Sequence, residues 1–207
     1  MKYTITNLFP STLHIFDTEG FDEFRGGLVD YVYKMREQDP KGFQISNRHG
    51  WQSKGFVLSD KNDLLHSTIL QGIASFPSFK NTVQMTASAW ININPPGAYN
   101  LQHDHPNAHM SGVMWIKSPK DGGVIEFLNP NDFQAHTEIS CYTDEFKDRN
   151  FVHHAYWIPP LEGRMVIFPS HLKHSVGENM SNEDRISVSF NITLTNPEKS
   201  VGNRFDD

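Results

Sequence analysis

The chain has 207 residues, 24 acidic side chains against 18 basic ones and a formal net charge of −6. With no Lys/Arg cluster, that balance argues against nucleic acid as a partner, because backbone binding needs several cations to neutralise phosphates. The one cysteine, Cys141, excludes an intramolecular disulfide or a multi-cysteine zinc site and reads as a half-buried strand residue in a reducing compartment.

No run approaches the roughly 18 apolar residues of a membrane span, and Met1 to Thr6 lack the apolar stretch of a signal peptide, so a soluble cytoplasmic protein without a membrane partner is expected. The length suits a single domain over 1–207, with a helical part over about 1–80, a β core over about 81–196 and a flexible polar tail at 197–207. Thr4 to Leu8 and Leu13 to Phe16 read as an edge strand either side of the Phe9-Pro10 turn. From Phe21, the apolar residues Phe21, Phe24, Leu28, Tyr31, Val32 and Met35 recur at helical spacing until Asp39-Pro40, predicting an amphipathic helix weakened by Gly26-Gly27. Ser46 to Ser53 is a polar loop around Trp51, whose ring either anchors the loop or walls a pocket. A second helix is predicted over Asp63 to Ala74, capped by Ser59-Asp60 and ended near Phe76-Pro77.

From Val83 the period changes to two: Val83, Met85, Ala87, Ala89, Ile91 and Ile93 alternate with polar or aromatic neighbours. Further strands are predicted over Ser111 to Lys117, Gly123 to Leu128, Ala155 to Ile158, Arg164 to Phe168 and Arg185 to Leu194. No crossover helices separate them, so the sheets are expected to be mainly antiparallel, as in a sandwich, barrel or jelly roll. The last strand puts Ile186, Val188, Phe190, Ile192 and Leu194 on an apolar face against the helices. Its other face, Arg185, Ser187, Ser189, Asn191 and Thr193, would line a barrel.

Tyr99 to His105, between Pro96-Gly97 and Pro106, is a short extended segment. Strand alternation sets His103 and His105 on one face with Tyr99 and Leu101 and turns Asp104 away. Two imidazoles on one face can chelate a metal, and His174 is the best downstream third ligand. The Arg, Ser, Ser, Asn row opening at Arg185 suits an anion. The other eight histidines have no partner spacing of this kind.

Together with His49-Gly50-Trp51-Gln52-Ser53, Ser111-Gly112-Val113 and Gly163-Arg164 through Phe168-Pro169-Ser170, these motifs resemble the double-stranded β-helix dioxygenases that use Fe(II) and 2-oxoglutarate. More narrowly they are similar to a small prolyl-hydroxylase-like subgroup of marine bacteria and their phages, over about Leu8 to Thr195. The resemblance implies a mainly β, double-stranded β-helix fold (jelly roll, cupin-like) with N-terminal helices packed on the outside of one sheet. It also implies Fe(II), 2-oxoglutarate as co-substrate, dioxygen, and an oxygenase, specifically a hydroxylase, that releases carbon dioxide and succinate. His103, His105 and His174 would hold the metal. Arg185 would grip the far carboxylate of 2-oxoglutarate, with Ser187 beside it and Asn191 farther along the same strand. Trp115 stands where relatives place an assisting aromatic but lacks an oxygen, so Tyr99, Asn92 or Asn94 would take over that hydrogen bond.

Most of the superfamily has a carboxylate where this chain has His105. Asp104 is therefore an alternative ligand, available only if the strand twists or bulges before Pro106. Two other functions fit the motifs: a cupin-like three-histidine enzyme without 2-oxoglutarate, and a jelly-roll binding module without turnover. A peptidyl proline, a free amino acid and another small metabolite are all compatible as substrates, the choice lying in loops such as Ser46 to Ser53 and Phe133 to His154. Oligomeric state is not legible in these residues.

Overall fold

Alternation gives each long strand two faces, and the computed structural model shows both of them covered. It describes residues 2, 4, 6, 10–59, 62–76, 83–131 and 138–195. Most of the predicted Thr4 to Leu8 strand, Asp60 of the predicted cap, Pro77, the start of the Phe133 to His154 loop and the 197–207 tail lie outside the described residues.

Two antiparallel sheets form the body. The larger runs in the order β1 (His14–Asp17), β10 (Arg164–Pro169), β7 (Met110–Lys117), β12 (Arg185–Thr195), β5 (Gln84–Asn94) and β3 (Trp51–Gln52), with β4 (Phe56–Val57) also paired to β5. The smaller runs β2 (Asn47–Arg48), β6 (Tyr99–His103), β11 (His174–Val176), β8 (Ile125–Leu128) and β9 (Ala155–Ile158). This is the double-stranded β-helix, built as two facing sheets and not as the closed barrel that the polar row of β12 suggested.

The apolar face of β12 packs as expected. Ile186, Val188, Phe190 and Ile192 are fully buried in one cluster with Ile91 and Ile93 of β5, Met114 of β7, Leu28 and Val32 of α1 (Phe21–Gln38) and Leu65 and Ile69 of α2 (Leu64–Ala74). At about 1.5–3 kcal/mol per buried aliphatic or aromatic side chain, this layer holds the helices on the outer face of the larger sheet. The opposite face looks into the space between the sheets, where Val113, Trp115, Phe127, Val166 and Phe168 make a second cluster.

Asp63 caps α2, its carboxylate accepting from the His66 N–H at 3.0 Å, so the cap falls later than Ser59-Asp60. Ser46 to Ser53 is not a plain loop: its two short strands pair with different sheets, β2 with β6 and β3 with β5. Trp51 anchors this crossing, buried with its Nε1–H donating to Asp39 O at 2.8 Å. Between β8 and β9 stand a 3-10 turn, Ile139–Cys141, and α3 (Asp144–Asn150), capped by Thr143. Cys141 is exposed on that turn and not in a strand. Among the described residues no helix is long and apolar enough to cross a membrane.

Candidate metal centre

His174 of β11 pairs with His103 of β6, whereas Val176, two residues on, pairs with Asn100, three residues back. The extra residue in β6 is a β-bulge, and it resets which side chains face inward. Asn100 and His103 both line the pocket between the sheets, and Tyr99 and Leu101 do not. The uninterrupted alternation that grouped Tyr99 and Leu101 with His103 is therefore broken. Tyr99 lies instead against His49, with ring centroids 6.2 Å apart.

His105 lies past the end of β6. Its N–H donates to Ser170 O at 3.0 Å and its C=O accepts from the Ala108 N–H at 3.2 Å, a turn that brings the ring within 5.7 Å of Trp90. The three imidazoles converge: centroids are 4.4 Å apart for His103 and His174, 5.0 Å for His103 and His105, and 5.2 Å for His105 and His174. One ring nitrogen from each lies within 4.8 Å of the others. Asp104 is outside this group.

Hydrogen bonds prepare two of the rings. Nδ1 of His103 meets Leu101 O at 2.7 Å, and Nδ1 of His174 meets Leu172 O at 2.8 Å. A carbonyl only accepts, so Nδ1 carries the hydrogen and Nε2 keeps the lone pair that a metal needs. Burial, with smaller contributions from the neighbouring histidines, pushes His174 down to about 3; burial and then His103 push His105 down to about 4. Two of the three rings are thus held neutral at physiological pH, and this donor set fits a divalent iron.

Arg185 opens β12 opposite Asn94 and lines the same pocket. An ordinary strand-end ion pair is not what holds it: Glu183 pairs with Lys117 at 2.9 Å, and Asp184 accepts from Tyr33 OH at 2.9 Å. The guanidinium is buried. Its Nη1 donates to the carbonyls of Gly122 and Gly177, while Nη2 is buried without a hydrogen-bond partner among the described residues. Burial pushes the group down to about 10, so it stays cationic at neutral pH. A buried cation with an unused donor is costly by itself and complements an anion. A carboxylate therefore fits here.

Other expected residues divide into two sets. Ser187, Asn92 and Trp115 line the pocket. Asn92 donates from Nδ2 to Ser189 Oγ at 3.1 Å and keeps a buried, unpartnered Oδ1. Asn94 is turned to Asn100, its Nδ2 donating at 3.4 Å, and Asn191 accepts from Ser111 Oγ at 2.8 Å; neither lines the pocket. Asn191 is on the inner face as predicted, yet Ser111 across the strand pair occupies it. Trp90, Asn100, Phe168 and Val176 line the pocket without having been singled out. Parity with Asn92 pointed to Trp90, whereas no local signal reveals the bulge that admits Asn100.

A family model described as 2OG-Fe(II) oxygenase matches residues 88–191, which include all three histidines and Arg185. No curated protein sequence matches the chain. Among solved structures it is similar to a Pseudomonas putida prolyl-4-hydroxylase, with a TM-score of 0.60 at 13% identity over 87% of this chain and 91% of that one. A non-heme alpha-ketoglutarate-dependent carbocyclase from nogalamycin biosynthesis gives a TM-score of 0.60 at 10% identity, covering 88% and 79%. A Trichoplax adhaerens prolyl hydroxylase in complex with a hypoxia inducible factor peptide fragment gives 0.58 at 11%, covering 87% and 83%. At these identities the structural likeness speaks for the fold.

Proposed function

The chain belongs to the 2OG-Fe(II) oxygenase family and is a 2-oxoglutarate and Fe(II)-dependent oxygenase, and from that premise we propose that it is a hydroxylase whose iron is held by His103, His105 and His174 and whose co-substrate is seated by Arg185. The observation that supports this reading is one pocket holding both a converging imidazole trio and a buried guanidinium with an unpartnered Nη2. When bound, iron and 2-oxoglutarate supply the oxidation: dioxygen is consumed, the keto acid leaves as succinate and carbon dioxide, and one oxygen atom enters a C–H bond of the substrate.

The chain's own residues bind and orient. Leu101 O and Leu172 O fix the tautomers of His103 and His174, so both rings offer Nε2. Arg185 offers its spare donors to the carboxylate farthest from the metal, with Ser187 on the same face of β12 and Asn92 across from it on β5. Val113, Trp115 and Phe168 line the pocket with apolar surface, which strengthens each ionic contact made there. With three imidazoles and no carboxylate in the donor set, the anionic co-substrate supplies negative charge that the protein leaves out.

A prolyl or other peptidyl substrate is compatible with the likeness to prolyl hydroxylases, as is a small metabolite. The test is succinate formation by the Fe(II)-loaded protein with oxygen and 2-oxoglutarate. Turnover independent of the keto acid would favour the cupin-like enzyme, and a 2-oxoglutarate-bound protein forming no succinate with any candidate substrate would favour a binding module. Arg185→Ala should weaken 2-oxoglutarate binding about a hundredfold or more with metal retained, since two charge-assisted hydrogen bonds are lost. An unaltered requirement removes Arg185 from the site.

A further inference from the structure

Arg185 is prevented from using both its terminal nitrogens on the protein. Nη1 is engaged by two carbonyls, Gly122 O in the turn between β7 and β8 and Gly177 O at the end of β11, and among the described residues no acceptor meets Nη2. Two chain segments far apart in sequence thus fix the rotation of one planar group. We propose that these segments form a clamp that aims the guanidinium at the co-substrate carboxylate, and that Gly123 is its positioning residue. The inference rests on the reading of Arg185 as the carboxylate-binding group.

The clamp is tied from both sides. Gly177 N–H donates to Val124 O at 2.9 Å and Met180 N–H to Asp121 O at 2.9 Å, stitching the loop after β11 to the turn before β8. Asn179 is buried and fully engaged: its Nδ2 donates to Asn94 O at 2.8 Å and Glu183 O at 2.7 Å, and its Oδ1 accepts from the backbone and hydroxyl of Ser181. The loop that supplies Gly177 O is therefore set by contacts independent of Arg185.

Gly123 occupies the closest point. Its φ is +87°, and a Cβ there would stand 2.3 Å from Gly177 O and 2.6 Å from Arg185 Nη1. A methyl group can be accommodated only if the carbonyl and the guanidinium separate, and the positive φ adds strain for any L side chain. Losing the clamp leaves Arg185 charged and buried but free to turn, so the carboxylate is met by a group that must first be ordered. The trio's hydrogen bonds and ring contacts run to Leu101, Leu172, Ser170, Ala108, Trp90, Phe127 and Phe168, which lie outside this turn.

The experiment uses the full chain loaded with Mn2+ as an inert substitute, with 2-oxoglutarate binding measured by calorimetry for wild type, Gly123→Ala, Arg185→Lys and Gly26→Ala. Gly26 has no atom within 4 Å of an added Cβ and serves as the control. The clamp predicts that Gly123→Ala weakens 2-oxoglutarate about ten- to a hundredfold while Mn2+ affinity and Gly26→Ala stay at wild type. If Arg185→Lys weakens binding and Gly123→Ala does not, the clamp is wrong and the role of Arg185 stands. If neither weakens it, both fail. Should Gly123→Ala not fold or lose Mn2+, the wild-type guanidinium decides, observed with 15N-arginine labelling and Zn2+ as a diamagnetic probe. Separate, slowly exchanging Nη signals assigned to Arg185 before 2-oxoglutarate is added support the clamp, and one rotationally averaged signal overturns it.

Discussion

Replacing His174 with alanine separates a metal site from a set of histidines that merely pack together. The ring packs against Phe168, at 4.9 Å, and Phe127, at 5.7 Å, and holds a hydrogen bond to Leu172 O. Removing it costs the metal-free protein roughly 1–3 kcal/mol through the lost contacts and the orphaned carbonyl. The larger effect concerns the metal. A change to an outer-shell partner typically lowers metal affinity about 10–100-fold, so loss of a ligand should lower it at least about 100-fold. At about 100 times the dissociation constant, metal stabilises the wild type by about 2.7 kcal/mol, which at this chain length is an increase of about 5–11 °C in Tm. At the same metal concentration His174→Ala should keep at most about 0.4 kcal/mol of that, a rise of no more than about 2 °C, although its own Tm starts lower. Differential scanning fluorimetry with and without Mn2+, alongside iron content by elemental analysis, reads both quantities. His171→Ala, an exposed neighbour, controls for histidine content. If His174→Ala retains iron and the metal-dependent rise in Tm, His174 is not a ligand. Retention of iron by His105→Ala together with its loss in Asp104→Asn would make Asp104 the third ligand.

Two further predictions rest on other parts of the molecule. Gly26 is exposed within α1 with open space around an added methyl group, so Gly26→Ala should raise stability by about 0.5–1 kcal/mol in urea unfolding; a loss of stability would contradict the regular helix there. Tyr33 is pushed up to about 12, first by burial and then by its hydrogen bond to Asp184. A raised value means that this residue's stabilisation is complete below its ordinary value of about 10 and is lost as pH climbs through 12. The stability difference between wild type and Tyr33→Phe should therefore shrink between pH 9.5 and 12, and a constant difference would show that the phenol is not held as described.

Much of the site was legible because its elements obey simple periods. In β12 the unbroken alternation from Arg185 to Leu194 identified one face for the helices and one for the interior, and both faces are used that way. The helix from Phe21 and the change to period two after Val83 were legible for the same reason. Alternation also selected His103 and His105 as a pair, although the pair is brought together differently. A bulge opposite His174 and a turn held by Ser170 O bring both rings to one point, and those partners lie in segments far along the chain that the local pattern does not mention. Asn191 reads as a pocket residue until Ser111 is seen to occupy it.

The amino-acid order by itself determined which residue types exist to hold a metal and an anion, and the faces on which most of them lie, because side-chain direction in a regular strand or helix follows from near neighbours alone. Tertiary structure decided which of them meet and which are left with unused bonds. Arg185 lacks a carboxylate because Lys117 and Tyr33 draw Glu183 and Asp184 away. It faces the pocket with a spare donor because Gly122, 63 residues earlier in the chain, holds the other nitrogen. Such pairings are settled by competition among groups distant in sequence, and only the folded chain brings the competitors within reach.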